Sequence, residues 1–145
     1  MNELGQWRLS DSDLLYWANI VDVKADIRQQ LVDWQREDWV MAYVLELNSE
    51  VVGYGELWKD DNEVELARLL VKPGFRGKGL GGSLVRELLT EAKTLSRKIC
   101  LRVHPANSSA IDLYLRCGFS IVNEALQKEY NSNQPIQFVW MELPA

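Results

Sequence analysis

Cysteine and histidine are scarce: the 145 residues include two of the first and one of the second. Cys100 and Cys117 are too few for a disulfide scaffold, and no metal site is expected. A run of about 18 apolar residues is missing, so no membrane-spanning helix is expected. The segment Met1–Asp13 lacks a basic stretch followed by an apolar one, so no secretory signal is read. On that reading both thiols are reduced and the protein is cytoplasmic. Positive charge is not in excess either. Sixteen Lys and Arg against 21 Asp and Glu leave a net charge of −5, and a pI near 4.9 argues against gripping nucleic acid by bulk charge. Repeats, linkers and low-complexity tracts are absent. What remains is 47% hydrophobic and 26% charged, a globular composition. One domain spanning residues 1–145 is expected, long enough to bury about 68–70% of its unfolded surface.

The charge is unevenly spread. Residues 1–50 carry ten acids and four bases, whereas residues 68–102 carry nine bases and two acids. That pattern suggests an anionic ligand near the middle of the chain and a cationic one near its first third.

Local signals predict the order βααβββαβαββ, a mixed α/β layer fold with about seven strands and four helices. A short strand is read at Gln6–Leu9. Ser10 or Asp11 caps a helix from about Ser12 to Ile20, and Asp22 caps a second from about Val23 to Glu37. Val40–Leu47 and Val51–Trp58 form a hairpin about Asn48–Glu50, and Val64–Val71 is a third strand of the sheet. The stripe Leu84, Val85, Leu88, Leu89 and Ala92 marks an amphipathic helix starting at Leu80. Ile99–Val103 is a strand, Ser108–Arg116 a helix closed by Gly118, and Phe119–Ala125 and Pro135–Leu143 are the last strands. The strand at 64–71, its helix and the strand at 99–103 suit a parallel crossover.

Between that strand and helix lies Arg76-Gly77-Lys78-Gly79-Leu80-Gly81-Gly82-Ser83. Glycines let the backbone approach a ligand and tolerate positive φ. The free N–H groups and dipole of a helix start make an anion site, to which Arg76 and Lys78 add charge. The Walker A pattern fails, because Leu80 follows Gly79 and Ser83 has no lysine before it. Gly77, Gly79 and Gly82 match the dinucleotide fingerprint literally. Lys72–Arg76 separates them from their strand, however, and the region about 20 residues on is basic.

The spacing Arg76, Gly79, Gly81 resembles the Arg/Gln-x-x-Gly-x-Gly/Ala signature of the GNAT family of acetyl-CoA-dependent N-acetyltransferases. Asn107, Ala110 and Tyr114, followed by Gly118-Phe119, resemble that family's second block. The strand also ends five residues before Arg76, the family's usual offset. These motifs cover residues 64–119; elsewhere the resemblance is one of element order. It implies a mostly antiparallel sheet that opens beside Leu69, Leu70 and Val71. The pantetheine arm of acetyl-CoA would pair with Leu69 and Val71. The amides of Gly77, Lys78, Gly79, Leu80, Gly81 and Gly82, with Arg76, would hold the pyrophosphate, and Asn107 would meet the pantetheine end.

The chemistry needs a base, because an amine with a pKa near ~10 must lose a proton before attacking a thioester. Glu65 matches the catalytic glutamate of the histone-acetylating branch. Six residues before Val71, it should share that residue's side of the strand. Glu56, on the neighbouring strand, and His104 are the other candidates. In the family the Val71 N–H meets the oxyanion, and Tyr114 can donate a proton to the departing sulfur. Cys117, beside a helix end, reads as buried rather than acylated. The branch that acetylates ribosomal-protein N-termini tends to carry Glu five residues before the motif Asn. Arg102 stands there in this chain, which weakens that assignment.

The acceptor is expected to be a small-molecule or peptide amine. The acidic first third suggests a cationic one, with Trp34, Trp39 and Trp58 available for cation–π contacts. No nucleic-acid or membrane partner is expected, and a homodimer is compatible with the family. Two other readings are a non-catalytic acyl-CoA-binding regulatory domain and a nicotinamide-dinucleotide binder.

Overall fold

The computed structural model describes residues 4–20 and 27–144. The elements are a short 3-10 turn at Leu4–Gln6, then α1 (Asp11–Ala18), α2 (Ile27–Gln35), β1 (Val40–Leu47), β2 (Glu50–Lys59) and β3 (Val64–Val71). They continue with α3 (Leu80–Leu95), β4 (Ile99–Val103), α4 (Ser108–Arg116), β5 (Ser120–Ile121), α5 (Glu124–Tyr130) and β6 (Val139–Glu142). The six strands form one sheet in the order β1-β2-β3-β4-β6-β5. Every pairing is antiparallel except β3 with β4, the crossover through α3.

Two apolar layers cover the sheet. On one face Leu57, Val64, Leu66, Ile99, Leu101, Val103 and Met141 pack beneath the predicted stripe of α3, with Tyr114 and Phe119. On the other, Val51, Tyr54 and Leu70 pack under Leu4, Trp7, Leu14, Trp17 and Leu31. Ser10 caps α1 in a reciprocal box with Asp13, both bonds at 3.0 Å. The hairpin turns at Asn48 and Ser49, both at positive φ (52° and 67°), as a two-residue turn requires.

Three expectations are corrected. Gln6–Leu9 is not a strand: Leu4 and Trp7 are both buried, an i, i+3 spacing, and the Trp7 N–H bonds Leu4 O at 3.1 Å. The predicted strand Phe119–Ala125 shrinks to Ser120–Ile121, because Asn123 caps α5 through a bond from Leu126 N at 3.0 Å. The last strand begins at Val139 rather than Pro135, because two amide side chains do the work of a neighbouring strand. Gln127 accepts from Trp140 N at 2.9 Å and donates to Trp140 O at 2.7 Å. Asn131 brackets the backbone of Phe138 at 2.9 and 3.1 Å. The count among the described residues is therefore six strands and five helices of the α type. The Asp22 cap and the helix start at Val23 lie outside the described residues.

Candidate active site

β3 carries the site. Its pairing with β4 runs only from Val64↔Ile99 to Leu66↔Leu101. Beyond Leu66, β3 stays bonded to β2, while Arg102 and Val103 of β4 continue only with β6. A gap therefore opens between the two parallel strands. Lys72 N–H bonds Val52 O at 2.8 Å, and Tyr54 pairs with Leu70. Strand alternation then turns the amides of Leu69 and Val71 away from β2, into the gap.

A bulge shapes this strand. Gly55 of β2 lies opposite both Arg68 and Leu69, and Arg68 has φ 51°, uncommon for a residue with a side chain. Trp17 Nε1 donates to its carbonyl at 2.7 Å. The extra residue reverses the parity of the strand, which corrects one expectation. Glu65 faces the cavity described below, but Val71 points to the other face, where a Cβ on Gly81 of α3 would touch its Cγ2 at 4.0 Å.

At the end of β3, Gly74, Gly77 and Gly79 have φ of 91°, 76° and 78°, and a Cβ on any of them would meet nothing within 4 Å. The turn is thus open, with its backbone accessible. Gly79 precedes α3 without a side-chain cap, so the first amides of the helix are unclaimed. Gly81 serves closeness instead: a Cβ there would lie 3.1 Å from Leu113 of α4. Lys78 is exposed beside Phe75, its Nζ 5.4 Å from the ring centre. Arg76 turns back onto the protein. Its Nε bonds Val71 O at 3.1 Å and its Nη1 bonds Asp13 at 2.8 Å. Partial burial alone would raise the Asp13 carboxyl, but the Ser10 amide and Arg76 outweigh it and hold the group below its ordinary value. Asn107 caps α4, its Oδ1 accepting from Ala110 N at 3.4 Å. The Tyr114 ring is buried edge-on to Phe119, 6.2 Å between centres. Burial pushes its hydroxyl up to about 12.

Across the gap, between the sheet and the end of α1, lies a cavity of about 200 Å³. Its charged or titratable lining residues, among those described, are Tyr16, Glu65, Arg68, Arg102 and His104. Both oxygens of Glu65 accept from Arg102, from Nε at 2.7 Å and Nη2 at 3.0 Å. Arg102 Nη1 donates to Gln134 at 2.7 Å. Burial raises the Glu65 carboxyl above its ordinary value in spite of Arg102. Glu56 has no exposed surface and accepts from the Tyr54 hydroxyl, Trp58 Nε1 (2.8 Å) and Arg68 Nη1 (2.9 Å). His104 accepts at Nδ1 from Ala106 N (3.1 Å) and packs 4.9 Å from Tyr16.

The aromatic faces expected to receive a cationic ligand hold arginines of the chain itself. Arg68 lies 3.6 Å from the Trp34 ring centre and 4.7 Å from that of Trp58. Arg102 lies 4.7 Å from Trp140, and Trp39 meets Trp58 edge-on. The sequence does not single out Arg68, and it marks Arg102 only as a departure from one branch of the family; the structure places both at the cavity. A signal existed, since alternation in the strands sets Glu56, Glu65 and Arg102 on one face. Cys100 is buried and its thiol is pushed up by burial; Cys117 is half-buried. No group of His, Cys, Asp and Glu among the described residues is arranged to hold a metal ion, and none of their helices is long and apolar enough to cross a membrane.

This architecture has relatives. The model of the acetyltransferase (GNAT) family matches residues 6–119. An uncharacterized N-acetyltransferase of Mycobacterium tuberculosis is 34% identical over 76 residues, 51% of this chain and 49% of its own length. Mycothiol acetyltransferase of Corynebacterium efficiens is 30% identical over 122 residues, 81% of this chain and 40% of its own. The chain thus spans half or less of these curated relatives. Among solved structures, spermidine N-acetyltransferase from Vibrio cholerae, in complex with CoA and spermine, shares the fold. Its TM-score is 0.69 at 19% identity, covering 84% of this chain and 76% of that one.

Proposed function

The chain belongs to the acetyltransferase (GNAT) family, and from that premise we propose that it is an N-acetyltransferase moving an acetyl group from acetyl-CoA to a primary amine by direct attack in a ternary complex. The observation that carries this reading is the one-sided bonding of β3 beyond Leu66, beside an uncapped glycine-rich helix start. Acetyl-CoA supplies an acetyl group already activated as a thioester.

The residues present fit that group. Leu69 and Val71 offer backbone to an extended arm as an added strand would, while Leu70 stays paired with Tyr54. The amides of Gly77–Gly82 and the α3 dipole suit a diphosphate, and Lys78 adds a mobile cation. Arg76 holds the turn in place through Val71 O and Asp13. Asn107 Oδ1 caps α4, which leaves its amide nitrogen for the coenzyme arm.

Glu65 is the favoured base. It lines the cavity, and burial moves its carboxyl toward working pH. Glu56 is sealed behind three donors. His104 uses its Nδ1 lone pair on Ala106, so its Nε2 bears a proton and donates rather than accepts. As the amine gives its proton to Glu65 and attacks, the Val71 N–H meets the charge growing on the carbonyl oxygen. The Tyr114 hydroxyl, protonated at any working pH, donates to the departing sulfur.

Release of free CoA thiol is measured against a panel of amines, aminoglycosides, peptides and polyamines, with wild type and Tyr114→Phe. The variant is expected to lose roughly 10²–10⁴ in kcat with little change in coenzyme affinity. Full activity in Tyr114→Phe removes the proposed acid. Coenzyme binding with no thiol release from any amine makes the chain a non-catalytic acyl-CoA-binding regulatory domain instead.

A further inference from the structure

Among the described residues, the charged side chains lining the acceptor cavity are two arginines and one glutamate. Glu65 is thus the one acid lining it among the described residues, and Arg102 bonds both of its oxygens. No acid of the first third that lies among the described residues lines it: Asp13, for one, is spent on Arg76. Arg68 lies against Trp34 and Trp58, and Arg102 against Trp140, so these rings are already engaged by cations of the chain. Among the described residues a cationic tail entering here meets two guanidinium groups and no unpaired carboxylate.

The donors are not exhausted. A guanidinium has five N–H groups. Arg102 spends three, two on Glu65 and one on Gln134, and Arg68 spends one, on Glu56. Both side chains keep some exposure, 24% and 17%. His104, two residues after Arg102 and also lining the cavity, carries a hydrogen on Nε2 while its Nδ1 accepts from Ala106 N. The planar fork of arginine matches a carboxylate. The volume, about 200 Å³, is below that of cavities enclosing drug-sized ligands and suits a small metabolite.

Resting on the transfer reading above, we infer that the acceptor is a small amine that also bears a carboxylate, an amino acid or close analogue. Its carboxylate is held by spare N–H groups of Arg102, Arg68 and His104, and its amine is directed to the gap between β3 and β4. This reverses the charge expected from the acidic first third. Arg102 would set specificity as well as hold Glu65.

Matched pairs that differ only in the carboxylate test this: leucine with isopentylamine, lysine with cadaverine, tryptophan with tryptamine. The carboxylated member of at least one pair is expected to be favoured by roughly 10- to 100-fold in kcat/KM, the range of a charged hydrogen-bond pair. Arg102→Lys keeps the charge and loses the fork, and should shrink that preference through KM. Should Arg102→Lys fail to fold, His104→Phe keeps the packing on Tyr16, removes a donor and should weaken the preference. A preference for the decarboxylated member in every pair overturns the inference, as does undiminished discrimination in the variant that folds. A binding arm separates the two claims. With CoA present, the favoured amino acid should raise the Tm and its decarboxylated partner should not. That pattern without turnover counts against acetyl transfer and for this inference; the opposite pattern counts against this inference alone.

Discussion

Arg68 occupies a left-handed conformation that costs roughly 1–3 kcal/mol for a residue with a side chain. What holds it there is a set of contacts made by distant residues: Glu56, the rings of Trp34 and Trp58, and Trp17 Nε1 on its carbonyl. Removing the arginine leaves Glu56 buried with its charge uncompensated. Arg68→Leu is therefore expected to cost about 3–5 kcal/mol in chemical denaturation, and adding Glu56→Gln to restore most of it. Equal losses in the single and double variants would contradict the pairing. Glu65 sets a different test, because its folded carboxyl titrates above the unfolded one. A group shifted that way lends stability below its unfolded pKa, about 4.3, and loses it as pH rises through the folded value. Against Glu65→Gln, the wild-type chain should lose relative stability as pH climbs through that window, read from urea midpoints. As the base it must be deprotonated, so the acid limb of kcat should titrate above the ordinary glutamate range.

Legibility differed among the elements for physical reasons. Val40–Leu47, Val64–Val71, Ile99–Val103 and Ser108–Arg116 follow from local period and punctuation alone, and each forms over the residues expected. The bulge in β3 does not, because the tertiary contacts of Arg68 decide it, and so the alternation from Glu65 to Val71 misleads. α5 announces itself only by Asn123 before Glu124, a signal that the apolar residues at 119–122 obscure. The glycine turn was legible in position and shape, but the return of Arg76 to Asp13 joins residues 63 apart in sequence. The start of α3 carries its own prediction. Gly79 has φ 78°, so Gly79→Ala should cost roughly 1–2 kcal/mol in stability. It should also weaken acetyl-CoA binding measured by calorimetry. Unchanged binding would mean that the turn does not touch the coenzyme.

Viewed whole, the molecule sorts chemistry by sheet face. Beneath α3 the sheet is apolar, from Leu57 and Leu66 to Leu101 and Met141. The opposite face carries Glu56, Glu65, Arg68 and Arg102, paired at the edge of a cavity. The gap between β3 and β4 connects the two faces. A coenzyme arm lying along β3 on the helix side could thus meet an acceptor from the other. The proposed transfer depends on that seat. The measurement that reaches it most directly is amide hydrogen exchange, resolved by residue, with and without saturating acetyl-CoA. Slowed exchange at Leu69, Val71 and Leu80–Gly82, with Leu70 little changed because β2 already holds it, is the predicted result. Binding that leaves the amides of Leu69 and Val71 exchanging at their free rate would contradict it.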